Sequence, residues 1–125
     1  MKTVINTQAA PAALGPYSQA IKTGNMVFVS GQLGIDPATG EMSASAEDQA
    51  RQALKNLRAI LDAAGAKPHD VVKTTVFLGS MNDFKSINDI YADFFGEHKP
   101  ARSCFEVACL PKNAKIEIEA IVVID

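Results

Sequence analysis

The chain is poor in the residues that most often announce chemistry. Among 125 residues it holds two cysteines, Cys104 and Cys109, and two histidines, His69 and His98. They form no Cys-x-x-Cys, no His-x-His and no glutamate–histidine helix motif, so nothing in the spacing points to a metal. An odd separation puts the cysteines on opposite faces of any continuous strand, which makes a mutual disulfide a poor proposition. A Walker-type loop and a dinucleotide fingerprint are also absent. No apolar run is long enough to span a bilayer, and Met1 to Ala13 carries one lysine and no signal-like hydrophobic block. The expected compartment is therefore the reducing cytosol, with no membrane partner. A surplus of one charge is missing too. Twelve basic residues against 14 acidic ones leave a net charge of −2, with the lysines and arginines scattered. That argues against a nucleic-acid partner, which calls for a basic stripe. No repeat, low-complexity tract or linker divides the chain, and its length suits one domain, residues 1–125.

What is present is apolar patterning, at 47% hydrophobic content, in two periods. Asn25 to Ser30 reads as a strand, with Tyr17 to Lys22 as an antiparallel partner across a tight turn at Gly24-Asn25. Asp36 to Gly40 is rich in turn formers. From Ala46 to Ala64 the apolar positions Ala50, Ala53, Leu54, Leu57, Ile60, Leu61 and Ala64 recur at helical spacing. Ser45 with Asp48 resembles a capping pair, and Gly65 suits the stop. Val71 to Leu78 is β-branched and alternating, a second major strand. Asp83 to Phe95 reads as another helix, striped by Phe84, Ile87, Ile90, Tyr91, Phe94 and Phe95. Arg102 to Ala108 and Lys115 to Ile124 close the order β-β-α-β-α-β-β. Two helices with one apolar face each need a sheet to cover, which gives an α+β layer with both helices on one side. In the last strand Ile116, Ile118, Ala120, Val122 and Ile124 share one face. Lys115, Glu117, Glu119, Ile121 and Val123 share the other. A face mixing carboxylates with large aliphatics suits a subunit interface that contains a polar site.

The candidates for chemistry are few, and each has an ordinary alternative. Arg102, at a strand entrance, offers a planar fork to a carboxylate or phosphate; alternatively it closes a surface salt bridge. Glu117 could accept a proton or hold a water, or simply occupy the polar face it shares with Glu119. Cys104 has no histidine near it in sequence, so a small buried hydrophobe or a pocket wall is the simpler reading. Ser30-Gly31 ends an apolar strand, where a glycine lets a ligand approach the backbone or merely serves a turn. Tyr17, after Gly15-Pro16, could cover a pocket or sit half-buried in a strand. Asn88 lies beside the apolar stripe of the second helix, where a solvated residue is the ordinary case.

Several blocks together resemble the RidA (YjgF) family of reactive-intermediate deaminases, also called the L-PSP family. They are Gly15-Pro16-Tyr17-Ser18, Val29-Ser30-Gly31-Gln32 and Val72 to Phe77. The most specific signature is C-terminal: Pro100-Ala101-Arg102-Ser103, then Leu110-Pro111, then Ile116-Glu117-Ile118. The resemblance implies a chorismate-mutase-like fold, assembled as a homotrimer with ligand clefts between subunits, and neither cofactor nor metal. It implies hydrolysis of short-lived enamines and imines, such as 2-aminoacrylate, to 2-keto acids and ammonia. On that reading Arg102 grips the carboxylate of a small imine, enamine or 2-keto acid, helped by the Gly31 N–H. Glu117 activates the attacking water, assisted by the Cys104 carbonyl. Tyr17 closes the cleft, and Ser30, Asn88 and Pro111 shape it. Two departures stand out: His98-Lys99-Pro100 is shorter than the corresponding loop of many members, and Cys109 stands where many have a basic residue. Some members are described as endoribonucleases or translation inhibitors. A non-catalytic, carboxylate-binding or chaperone-like trimer would keep Arg102 but have no need of Glu117.

Overall fold

A computed structural model describes all of residues 1–125. Six strands form one mixed sheet and two helices cover one of its faces. In chain order these are β1 (Lys2–Ile5), β2 (Ala20–Thr23), β3 (Met26–Leu33), α1 (Ala46–Ala64), β4 (Val71–Leu78), α2 (Phe84–Phe95), β5 (Ala101–Glu106) and β6 (Ile116–Val123). Across the sheet the order is β1-β2-β3-β6-β4-β5. Every neighbouring pair is antiparallel except β4 and β5, which are parallel. A parallel pair needs a crossover, and α2 is that crossover.

α1 begins where Ser45 Oγ accepts the Asp48 N–H and ends where Gly65 turns left-handed at φ +77°. Its buried stripe, including Leu54, Leu57, Ile60 and Leu61, meets Val27, Val29, Val76, Leu78, Ile116, Ile118 and Val122 from the sheet. Each such aliphatic contributes about 1.5–3 kcal/mol when fully buried, so this one interface carries the core. Buried amides then fix where the helix lies. Asn56 Nδ2 donates to the carbonyls of Leu33 and Ile35 at 3.0 and 2.9 Å. Gln49 donates to the Ser43 carbonyl, and its Oε1 accepts the Lys115 N–H, at 2.8 Å each. The end of β3 and the start of β6 are thus tied to the same helix.

The approach is closest at Gly34, where an added Cβ would stand 2.3 Å from the Gln49 carbonyl oxygen. Backbone on both sides leaves no flexible atom to move. Gly34→Ala is expected to cost about 1–3 kcal/mol, the usual range for overpacking. A lowered urea midpoint at unchanged m-value would report it, and an unaltered midpoint would mean that α1 shifts freely.

The structure corrects the sequence reading in four places. β1 is an additional strand, so the order is β-β-β-α-β-α-β-β; of its four residues only Ile5 is buried, which leaves no alternation to read. The partner strand starts at Ala20 rather than Tyr17. And Ser30-Gly31 does not end β3, which runs on to Leu33 through a bulge between Val29 and Gln32. β5 stops at Glu106, so Cys109 lies beyond it in an exposed loop; both cysteines are free. The sheet face away from the helices carries a row of register partners, Val4, Ile21, Phe28 and Ile121. Val4 is 61% exposed, Phe28 43% and Phe105 46%.

Candidate functional site

Strand register decides which candidate side chains can meet. Arg102 pairs with Thr74 of β4, and Thr74 is fully buried on the helix side. Residues in register on neighbouring strands share a face, so Arg102 leaves the sheet toward α2. There its Nη1 donates to Asn88 Oδ1 at 2.7 Å. Its Cζ lies 4.8 Å from the centre of the Tyr91 ring and 5.6 Å from that of Phe84. The Tyr91 hydroxyl is 2.7 Å from Thr74 Oγ1. The ion pairs of the chain are Arg51–Asp48 and Arg58–Asp62, with His69 close to Asp70, so Arg102 closes no salt bridge. It is held by an amide and two aromatic faces, all neutral, which leave its charge uncompensated. A cavity of about 370 Å³ opens beside it, lined by Asn88, Tyr91, Phe95, His98 and Lys99 among others.

Glu117 leaves the opposite face. It pairs with Phe77 on one side and Leu33 on the other, and Phe77 packs edge-on against Phe105 with ring centres 5.4 Å apart. Half-buried, its side chain lies flat over Gly31. A Cβ at that glycine would come within 2.7 Å of Glu117 Cδ and Oε2, so any side chain there would push the Glu117 carboxylate out of this position. Burial, and secondarily the neighbouring Glu119 carboxylate, push the Glu117 carboxyl above the usual range. Such a group is a stronger base once ionised. Ser30 belongs to the same cluster: its Oγ donates to the Ser18 carbonyl at 2.6 Å, and its N–H to the Gln19 carbonyl at 2.9 Å. These bonds tie the loop carrying Tyr17, 56% exposed, to the bulge.

Cys104 faces the helix side opposite Val76 and is half-buried. Burial pushes its thiol up, against a smaller opposing pull from Arg102. Neither histidine is bonded to it: His98 Nε2 meets the Val71 carbonyl at 2.6 Å, and His69 lies 3.6 Å from Asp70. A protonated thiol without a base is no nucleophile. Pro111 is exposed and opens a short turn in which Lys112 and Asn113 are both left-handed, at φ 57° and 56°. No three His, Cys, Asp or Glu residues converge in a way that could hold a metal ion, and no helix is long and apolar enough to cross a membrane.

One chain therefore gathers Arg102, Asn88 and Cys104 on the helix side, and Glu117, Gly31 and Ser30, with the Tyr17 loop, on the other. Three further contributors were hidden. Tyr91 and Phe84 read as apolar stripe, although their spacing from Asn88 puts all three on one helix face. Thr74 read as one more β-branched strand residue.

Comparison with known proteins shows what the chain is similar to. Residues 7–124 match the family described as Endoribonuclease L-PSP. The chain is 57% identical over 122 residues to a RutC family protein of Pyrococcus horikoshii, covering 97% of each chain. It is 55% identical over 126 residues to the 2-iminobutanoate/2-iminopropanoate deaminase of Escherichia coli K12, covering 98% of each. The crystal structure of E. coli TdcF with bound serine is similar throughout, with a TM-score of 0.95 at 51% identity over 98% of this chain and 99% of that one.

Proposed function

The chain belongs to the Endoribonuclease L-PSP family, and from that premise we propose that it hydrolyses reactive 2-imino and 2-enamino acids, such as 2-aminoacrylate, to 2-keto acids and ammonia. The observation that carries this reading is Arg102, a guanidinium held only by neutral partners. Such a fork is built to take a carboxylate from outside the chain. A relative solved with serine, itself a small carboxylate, supports that ligand class.

In the proposed reaction Arg102 grips the substrate carboxylate, helped by the Gly31 N–H, where a bulge leaves a residue unpaired. Glu117 accepts a proton from water as the water oxygen bonds to C2 of the imine and the nitrogen takes up a proton. The carbinolamine then collapses: the C2 hydroxyl passes its proton, by way of Glu117, to the amino nitrogen, the C–N bond breaks, ammonia leaves and the C2 oxygen becomes the keto oxygen. The Cys104 carbonyl helps to hold the water, Tyr17 covers the cleft, and Ser30, Asn88 and Pro111 shape it. Imines hydrolyse in water unaided, so acid–base help worth roughly 10²–10⁴-fold together with positioning suffices.

The opposed placement of Arg102 and Glu117 supports a site completed by a second copy, and the exposed apolar face around Phe28 and Phe105 supports burial against one. The assembly proposed is a homotrimer with its clefts between subunits, working in the cytosol. RNA cleavage, which the family's description favours, is the second reading; a net charge of −2 without a basic stripe counts against it.

The test generates 2-aminoacrylate or 2-aminocrotonate with a serine/threonine dehydratase and follows keto-acid release with and without the protein. Faster release with the wild type, lost in Arg102→Ala at unchanged sedimentation, is expected. No acceleration by an intact assembly over several imines would replace the deaminase with a ligand-binding module. RNA cleavage that survives Arg102→Ala would point to a contaminating nuclease.

A further inference from the structure

The Arg102 grip presents a physical problem. An exposed arginine on an edge strand has many rotamers, and a fork presents its bonds well only if its plane is fixed before the ligand arrives. A carboxylate partner would fix the plane but also neutralise the charge. Here the position is held by groups that do not.

We propose that Tyr91 is the positioning residue of the carboxylate grip, with Thr74 locking the ring on which the Arg102 guanidinium rests. This deepens the proposed deaminase function and rests on it. The chain of contacts is short. Thr74 is fully buried in β4, so its hydroxyl does not wander. Thr74 Oγ1 and Tyr91 OH lie 2.7 Å apart, a strong hydroxyl–hydroxyl bond that anchors the far end of the ring. Phe95 packs against the same ring, with centres 4.8 Å apart. The guanidinium lies over the Tyr91 ring at 4.8 Å, and Asn88 fixes its remaining rotation through Nη1. Thr74 and Arg102 are register partners on adjacent strands, so sheet pairing sets the distance between lock and load. Burial keeps the phenol above its usual range, so the cradle stays uncharged and the cation keeps its full pull on an incoming anion.

The test measures steady-state kinetics and the Kd of 2-ketobutyrate, a stable product, by calorimetry on the intact protein. Tyr91→Leu removes the ring and should raise both KM and this Kd about three- to thirtyfold, the range of a cation–π contact, with kcat changed less. Tyr91→Phe keeps the ring and should give back most of the affinity. Tyr91→Phe and Thr74→Val remove the same bond, so the double variant should be no worse than either single one. In an Arg102→Ala background Tyr91→Leu should leave the residual Kd unchanged, an outcome that a merely structural role of Tyr91 would not give. Wild-type KM and Kd in Tyr91→Leu would overturn the proposal, as would equal losses with and without Arg102. If Tyr91→Leu does not fold, additive effects of Tyr91→Phe and Thr74→Val would do the same. A wild type that binds 2-ketobutyrate but accelerates no imine hydrolysis would sink the deaminase reading, while the Kd series still decides the role of Tyr91.

Discussion

Arg102→Lys is expected to behave almost as badly as a deletion, with kcat/KM down at least about a hundredfold and thermal stability unchanged. The charge survives this substitution, so the loss measures geometry. A guanidinium can give a carboxylate two parallel bonds, and each charge-assisted bond contributes about 1.5–3 kcal/mol. An ammonium offers a single point contact. It is also more strongly hydrated and settles less well on the faces of Tyr91 and Phe84, 4.8 and 5.6 Å from the present guanidinium carbon. Losing one bond and part of the cradle accounts for a hundredfold, since each 1.4 kcal/mol is a factor of about ten. Arg102 is exposed and closes no ion pair, so the fold has little reason to respond. Steady-state kinetics beside a melting curve check both halves. Activity near wild type in Arg102→Lys would show that a positive charge suffices and that the fork goes unused.

Glu117→Gln should separate binding from turnover. The amide fills the same space over Gly31 but accepts no proton, so kcat should fall about 10²–10⁴-fold, the usual worth of a general base. The 2-ketobutyrate Kd should stay near its wild-type value. The wild-type rate should also carry a signature in pH. The base works ionised, and burial with help from Glu119 raises its pKa, so activity should fall on acidification at a higher pH than an ordinary carboxylate allows. That acid limb should vanish from the residual rate of Glu117→Gln.

Stability gives an independent check of the same shift. Between the ordinary carboxylate value and the raised one, the folded chain holds the Glu117 proton that the unfolded chain has released. The contribution of Glu117 to stability is therefore full below the ordinary value and declines as pH rises through the window. Glu117→Gln should remove this decline and leave the variant at least as stable as the wild type at neutral pH. Unchanged turnover in Glu117→Gln would return the protein to the class of carboxylate binders.

Where local chemistry and packing agree, the sequence was readable to the residue. Ser45, Asp48 and Gly65 mark the two ends of α1 because capping is a local matter, and Val71 to Leu78 alternates because β4 is central and covered on one face. β1 escaped because pairing with β2, rather than a buried side, makes it a strand. At Ser30-Gly31 the glycine read as a terminator, whereas the structure uses it for the close passage of Glu117. Arg102, Asn88 and Glu117 were singled out by their residue types and by resemblance. That Arg102 and Glu117 leave opposite faces could not be read, because alternation orders faces within one strand only. It takes the register of β4 with both neighbours, Thr74 beside Arg102 and Phe77 beside Glu117, to relate them. Tyr91 was hidden for a related reason: a half-buried phenol satisfies the apolar period of α2 whether or not a cation rests on it.

If Arg102 and Glu117 serve one reaction, as proposed, a chain from which they leave opposite sides of the sheet does not own a complete cleft. In the proposed assembly each cleft takes Arg102 from one copy and Glu117 from another, so inheritance and dosage reach the chemistry directly. A cell making an Arg102-deficient chain and a Glu117-deficient chain together recovers turnover that neither chain has alone, because some mixed clefts receive an intact residue from each. Dilution works the other way: specific activity falls as copies part company.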